Sequence, residues 1–460
     1  MFNLPLCVIA GILIYLIPHS LPQQTWGLFA IFISTILGII LRPYPMGAVT
    51  LMGLSVAVLT GVLDLQKEAL TGFSSPIIWL VVMVFFVSRG FIKTKLGLRI
   101  AYNFINLMGR RTLTLGYSIA LSEFLIAPFV PSNTARAGGI MLPIVKSMCE
   151  ALNSTPLENS SLGRYFMQVM FQSNVITSAL FLTSCAVNPL AQKFALDQGV
   201  KITWGNWFLG SIVPGVCALI AMPLIIMFLT KPDVKVLEGA REYAQKQLRD
   251  LGPISTKEWY MLGIFAIMLV LWMFEGYFGI HTTTVAFLGV SLCLLCGIIN
   301  LEDMLNEKEA WHTLMWLSIL ITMSTFLQKF GFISWFAGSL AGMTQGMTGM
   351  QTLIILGLLY FYSHYFFAGN TAQVSAMYAA FVAVCIAAGA PALLTVLIFG
   401  YCSSLFSSMT HYGTASAPMV FGQGYMSLKT WWQVGFVFSI FNLFIWVGVG
   451  SIWWKIVGIY

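Results

Sequence analysis

Apolar runs, most of them about as long as a bilayer is thick, alternate along this chain with short polar connections. A helix rises 1.5 Å per residue, so about 20 apolar residues cover a hydrocarbon core of roughly 30 Å. Runs of this kind occupy residues 4–17 (short), 25–41, 45–63, 76–87, 165–185, 204–229, 259–280, 283–299, 311–330, 392–408 and 431–459, which predicts eleven crossings. Two further apolar regions are interrupted near their middle. Residues 112–148 break at Pro131-Ser132-Asn133-Thr134, and residues 350–390 break at Gly369-Asn370-Thr371. Non-helical backbone at membrane depth persists only where protein or a water-filled cavity satisfies its polar groups, so each region is read as a re-entrant hairpin. The returning arm of the first, from Ala135 to Cys149, is too short to span, which places its tip near the midplane. Residues 91–108 carry Lys93, Lys95 and Arg99 and are expected to lie in the interface, while the charged stretch 231–258 is expected to be a cytoplasmic linker.

That linker separates two similar halves, residues 25–230 and 259–460, which follow an N-terminal helix within residues 1–24. Trp79-Leu80 and Trp316-Leu317 stand 237 residues apart, as do Asn133-Thr134 and Asn370-Thr371. Each half contributes five crossings and one hairpin. An odd number of crossings turns the second copy upside down, so the hairpins enter from opposite faces. Inverted repeats whose broken helices meet inside the membrane are the architecture of secondary transporters. The expected fold class is therefore an all-α polytopic membrane protein.

Composition agrees, since 58% of the 460 residues are hydrophobic and 8% are charged, too few to keep a globule of this length in water. The first segment has no basic stretch before it and is expected to be a retained span rather than a leader. The net charge of +7 does not point to nucleic acid, because the basic residues sit in short loops. With the N-terminus in the cytoplasm, 17 of the 23 Lys and Arg fall on that side, five on the other, and Arg136 at a hairpin tip. That asymmetry is the one that fixes membrane orientation, and it puts the C-terminus outside. Cys293 and Cys296 form a C-x-x-C inside an apolar run, a setting for packing rather than for a disulfide or a metal. No cofactor, nucleotide-binding or hydrolase motif is present, which argues against an enzyme and against ATP drive.

The polar breaks hold the candidate chemistry. Asn133 and Thr134, and again Asn370 and Thr371, are expected at the N-caps of the returning arms, where side chains and free N–H groups donate to a carboxylate. The second tip has Gly369 where the first has Ser132. Arg136 would be an unpaired charge near the midplane, neutralised by an anionic substrate or, alternatively, by Glu123 on the other arm. Two further breaks interrupt helices, one containing Ser184 and Asn188 before Pro189, the other containing His411, Thr414 and Ser416 before Pro418. His411 is expected to meet a second carboxylate. His19, His281, His312 and His364 are expected to be interfacial or packing residues.

The strings Ser132-Asn133-Thr134-Ala135-Arg136-Ala137-Gly138-Gly139, Asn188-Pro189-Leu190 and Thr410-His411-Tyr412-Gly413-Thr414 resemble the divalent-anion/sodium symporter family over nearly the whole chain. The likeness is greatest to its exchanger branch, which includes bacterial citrate/succinate antiporters and plastid 2-oxoglutarate/malate translocators. The resemblance implies a homodimer whose scaffold holds the subunits together while a transport domain moves as an elevator in a bacterial inner membrane. It places the substrate between Ser132, Asn133 and Thr134 on one side and Gly369, Asn370 and Thr371 on the other. Ser184, Asn188, His411, Thr414 and Ser416 would complete the pocket. Sodium-coupled relatives usually carry an uncharged residue at the position of Arg136, so sodium-independent exchange of dicarboxylates such as 2-oxoglutarate, succinate, malate or fumarate is expected. A sodium-coupled symporter of the same fold is the alternative, and an anion channel a more distant one. With Arg136 fixed positive, an empty transport domain would carry bare charge through a medium of low dielectric, and a bound dianion would remove that penalty.

Overall fold

The computed structural model describes residues 3–156, 161–237, 239–341 and 346–460. Met1 and Phe2, which open the first predicted segment, lie outside the described residues. Among these the chain is helical, with an isolated bridge between Arg111 and Val236 as the sole β pairing. Every predicted crossing is present as a helix. The first half provides Gln23–Leu41, Met46–Leu59, Pro76–Lys93, Ser161–Leu180 and Trp204–Thr230, preceded by Asn3–Tyr15. The second half provides Thr256–Met273, Thr282–Leu295, Lys308–Lys329, Ala392–Leu405 and a continuous stretch from Leu428 to Ile456. Among the described residues, eight helical stretches are apolar and long enough to cross a membrane.

The helix Ser161–Leu180 is the centre of the molecule, with every residue but Arg164 buried. Gln168, Gln172, Asn174, Thr177 and Ser178 make it too polar to face lipid. It is covered by the first hairpin, by Trp204–Thr230 and by Ala392–Leu405, so its polar groups meet protein instead.

Several boundaries differ from expectation. The region 91–108 is not one interfacial helix. Phe91, Ile92 and Lys93 finish the helix Pro76–Lys93, Lys95 turns through a left-handed conformation (φ 60°), and a new helix runs Leu96–Met108. Leu96, Gly97, Ala101, Tyr102 and Ile105 form its buried face. The linker supplies the helix Ala240–Leu251, which packs on Leu96–Met108. Arg99 pins the end of this linker, donating to Glu258 Oε1 at 2.5 Å and to the Gly252 carbonyl at 2.9 Å. The expected run 259–280 is helical over Thr256–Met273 and again over Glu275–Phe278, and Glu275 opens the second piece. It accepts from Thr282 Oγ1 at 2.7 Å, with Lys201 Nζ 3.9 Å away. A helix at Phe332–Ala341 was not expected from the sequence.

The first returning arm is longer than the sequence suggested, while the second ends close to its expected boundary at residue 390. The first runs helically from residue 133 to 151, through a π-helical segment Ala135–Met141 and then Leu142–Ala151. The second is Asn370–Ala387, with a π-helical segment Val374–Tyr378. At 18 or 19 residues, each is about long enough to cross the core. Pro143 does not shorten the first arm, because the wide π turns before it absorb the missing backbone donor. All eight cysteines are unpaired.

Candidate functional site

Ser132 stands just before the returning arm, and its Oγ accepts from the Ala135 N–H at 3.1 Å. The N-cap is therefore Ser132, and Asn133 and Thr134 are already in the first turn, one position further along than expected. Asn133 is thereby released to reach sideways, and its Nδ2 donates to Thr414 Oγ1 at 2.6 Å. Asn174 Nδ2 donates to the Asn133 carbonyl at 3.2 Å.

At the second tip the cap position is Gly369, with φ 120° and ψ 149°. Only glycine enters that region of backbone space without strain, which explains why the hydroxyl of Ser132 has no counterpart there. The helix then starts at Asn370, whose Nδ2 points at Cys185 Sγ, 3.8 Å away. Thr371 is half-buried, and its hydroxyl has no hydrogen-bond partner among the described residues. The contacts run crosswise: the first tip touches Thr414 in the second half, and the second tip touches Cys185 in the first. These two crosswise contacts make up a junction in which each returning arm starts, with its N-terminal partial charge, against the broken helix of the other half.

Arg136 does not wait there for an anion. It is fully buried, and Nε donates to Glu123 Oε1 at 2.8 Å, with Glu123 1% exposed. Nη1 donates to the Val130 carbonyl at 2.7 Å and to the Ser184 carbonyl, and Nη2 donates to Ser178 Oγ at 2.7 Å. Asn174 Nδ2 adds a bond of 2.6 Å to the same Glu123 oxygen. A charge so far from water needs a permanent counter-charge, and Glu123 provides it. Arg136 therefore ties the two arms of the first hairpin to the break in the next helix.

Ser184 and Asn188 are likewise committed. Ser184 Oγ donates to the Ser178 and Phe181 carbonyls at 2.9 and 2.6 Å, and Asn188 Nδ2 to the same two at 2.7 and 2.9 Å. They satisfy the carbonyls left free where the central helix ends, and so they hold the broken helix in shape. Ser416 is buried and bonds Asn174 Oδ1 at 3.4 Å. His411 also departs from expectation. The Trp432 indole donates to its Nδ1 at 3.2 Å, and its ring lies among Tyr412, Phe421 and Trp432. Among the described residues its ring makes no bond to either tip.

The histidine that does reach the junction is His364. It is fully buried, stacks on Phe406 with centroids 4.0 Å apart, and places Nδ1 2.6 Å from Gln373 Oε1 and Nε2 2.9 Å from the Gly413 carbonyl. Gln373 stands 237 residues after Arg136, so the repeat could have found this pair. Each hairpin has its arms tied by a buried polar clamp, Arg136 to Glu123 in one and Gln373 to His364 in the other. His364→Phe would keep the stacking and remove both ring nitrogens. The variant is expected to fold, eluting as the parent does on size exclusion, yet to transport several-fold more slowly in reconstituted vesicles. His281 and His312 fit their expected minor roles, the first capping the helix Thr282–Leu295 and the second accepting from the Gly47 N–H at 3.4 Å.

Among the described residues no group of three His, Cys, Asp or Glu could hold a metal ion. The profile described as "Sodium:sulfate symporter transmembrane region" matches residues 1–460. The putative malate transporter YflS of Bacillus subtilis is 44% identical, over 98% of this chain and 96% of its own. The chloroplastic dicarboxylate transporter 1 of Spinacia oleracea is 42% identical, over 98% of this chain and 81% of its own. Among solved structures, the Alcanivorax borkumensis YdaH transporter superposes with a TM-score of 0.57 at 12% identity, covering 98% of this chain and 95% of that one, a likeness of fold alone. With the two broken hairpins, the inverted repeat and a match along its whole length, the chain belongs to the sodium:sulfate symporter family of multi-pass membrane transporters.

Proposed function

We propose that this protein carries dicarboxylates by alternating access, exchanging one such anion for another without sodium. The observation that carries the reading is the crosswise junction. Each tip is an amide-bearing helix start, at Asn133 and at Asn370, set against the broken helix of the other half, which supports a ligand with a carboxylate at each end. The relatives named as malate and dicarboxylate transporters support the substrate class. Ser132, Asn133, Thr134 and Thr414 would take one carboxylate, and Gly369, Asn370 and Thr371 the other.

Sodium independence is supported by what fills the first hairpin. The Val130 and Ser184 carbonyls and the Ser178 hydroxyl converge as cation ligands would, and the guanidinium of Arg136 occupies the place between them. Because Glu123 balances that charge, Arg136 does not itself forbid the empty unit from moving. The reason for exchange lies instead in the tips, whose free N–H groups and Thr371 hydroxyl lose water when they pass an apolar wall without substrate. Such a wall exists, where Leu80, Val81 and Val84 face Pro131, Cys185, Ala186 and Pro189. An apolar seam breaks no hydrogen bonds when its sides slide, which suits an elevator moving against a dimeric scaffold. The charge distribution supports a cytoplasmic N-terminus in a bacterial inner membrane.

A sodium-coupled symport reading draws on a different observation. Gln172 Oε1, Ser407 Oγ, Ser408 Oγ and Thr410 Oγ1 are buried around the second break without partners, an oxygen-rich spot. Purified protein in liposomes separates the two readings. Labelled succinate or malate should enter vesicles preloaded with a dicarboxylate, equally well in sodium and in N-methylglucamine, and should hardly enter anion-free vesicles. Uptake into anion-free vesicles driven by a sodium gradient would establish symport instead.

A further inference from the structure

Outside the junction, one cation stands against a hairpin tip. Arg42 ends the helix Gln23–Leu41, and its Nη2 donates to the Ala368 carbonyl at 2.9 Å, immediately before Gly369-Asn370-Thr371. The guanidinium is exposed, belongs to no ion pair among the described residues, and keeps its other N–H groups open. Nη2 lies 4.0 Å from where a side chain at residue 369 would begin.

The backbone beneath Arg42 gives a second observation. Its φ of 49° and ψ of 49° are left-handed, a conformation that costs a side-chain-bearing residue about 1–2 kcal/mol. It also precedes Pro43, which disfavours helical backbone at the residue before it. Glycine or asparagine is the ordinary occupant of such a helix end. The chain holds an arginine there, fixed by Pro43 and Pro45 on its far side, and the strain has a use if the guanidinium must be presented at that spot.

We propose that Arg42 is the anion-capturing and positioning residue of the cytoplasmic mouth. It draws a dicarboxylate to the second tip, and its hydrogen bond to Ala368 holds that tip in place at the cytoplasmic station. This rests on the carrier reading and on the threading above, in which Arg42 is cytoplasmic and the second hairpin enters from the opposite face. A tip that enters from outside and touches the cytoplasmic end of a full-length helix has travelled inward, so the structure is of the inward station. When the hairpin rises, Arg42 stays with the helix Gln23–Leu41, and the contact is lost. Arg42 therefore acts on one side of the membrane only.

Sided exchange kinetics test this. Inside-out and right-side-out vesicles from cells expressing wild type, Arg42→Gln and Arg42→Lys would be compared with labelled succinate. Arg42→Gln should raise KM at the cytoplasmic face about tenfold while leaving KM at the outer face within twofold, and Arg42→Lys should restore most of the loss. Equal KM values at the cytoplasmic face for wild type and Arg42→Gln, or an equal rise at both faces, would overturn the role of Arg42. If wild type itself exchanges no dicarboxylate in either orientation, the carrier reading has failed, and the comparison shows which of the two is at fault. Poor folding of Arg42→Gln would appear as a fall in the amount of monodisperse protein with both KM values unchanged, and that result counts against capture.

Discussion

Arg136→Met is expected to leave a protein that barely folds, whereas Arg136→Met combined with Glu123→Leu is expected to fold nearly as well as wild type and still fail to transport. Both side chains are out of contact with water, at 0% and 1% exposure. Removing one partner of such a pair strands the other charge and costs about 3–5 kcal/mol, while replacing both by apolar groups of similar size is often neutral or stabilising. Either variant also strands the Val130 and Ser184 carbonyls, which the guanidinium satisfies, so what the double variant regains is the cost of the bare Glu123 charge. Thermal unfolding in detergent would show it, with the single variant melting well below wild type and the double variant recovering most of the difference. Transport should not recover, because the broken helix at Ser184 is no longer tied to the hairpin. A single variant as stable as its parent would mean that the pair is not what holds the hairpin.

The second large effect is expected at the tips. Asn370→Ala should reduce exchange by roughly 10- to 100-fold in kcat/KM, the effect of losing one hydrogen bond to a charged group, about 1.5–3 kcal/mol. Melting temperature should hardly move, since the sole recorded side-chain partner of Asn370 is the weak acceptor Cys185 Sγ at 3.8 Å. Asn133→Ala should reduce transport similarly but also soften the protein, because Asn133 holds Thr414 at 2.6 Å. Full exchange in Asn370→Ala would remove the second tip from the site.

The helices, the breaks and the repeat were legible in the sequence because each is a matter of local pattern: apolar length, proline and glycine, and a fixed offset. The neutralisation of Arg136 was not. Glu123 is 13 residues away on another arm, and sequence gives no means of deciding between it and a bound anion without knowing that Val130, Ser178 and Ser184 also converge there. His411, expected at the site, bonds neither tip, and His364, expected to be a packing residue, bonds Gln373 and Gly413, for a related reason. His411 sits in a conspicuous polar string, yet its neighbour in space is Trp432. His364 lies in an aromatic run, and its importance comes from Gln373, whose equivalence to Arg136 only the 237-residue offset reveals. The first returning arm exceeds the expected Ala135–Cys149 because its cap is Ser132 rather than Asn133 or Thr134, so the helix starts earlier.

The spacing of these contacts matters while the chain is being made. Glu123 and Arg136 are close in sequence, so the charge can be cancelled within the first hairpin before that segment leaves the insertion machinery. The Asn133 side-chain N–H has no such local acceptor, since Thr414 follows it by 281 residues. The first half of a newborn polypeptide must therefore be threaded into lipid with its most expensive group already paired and its anion-gripping end still open, and the pocket closes only when nearly all the rest has arrived.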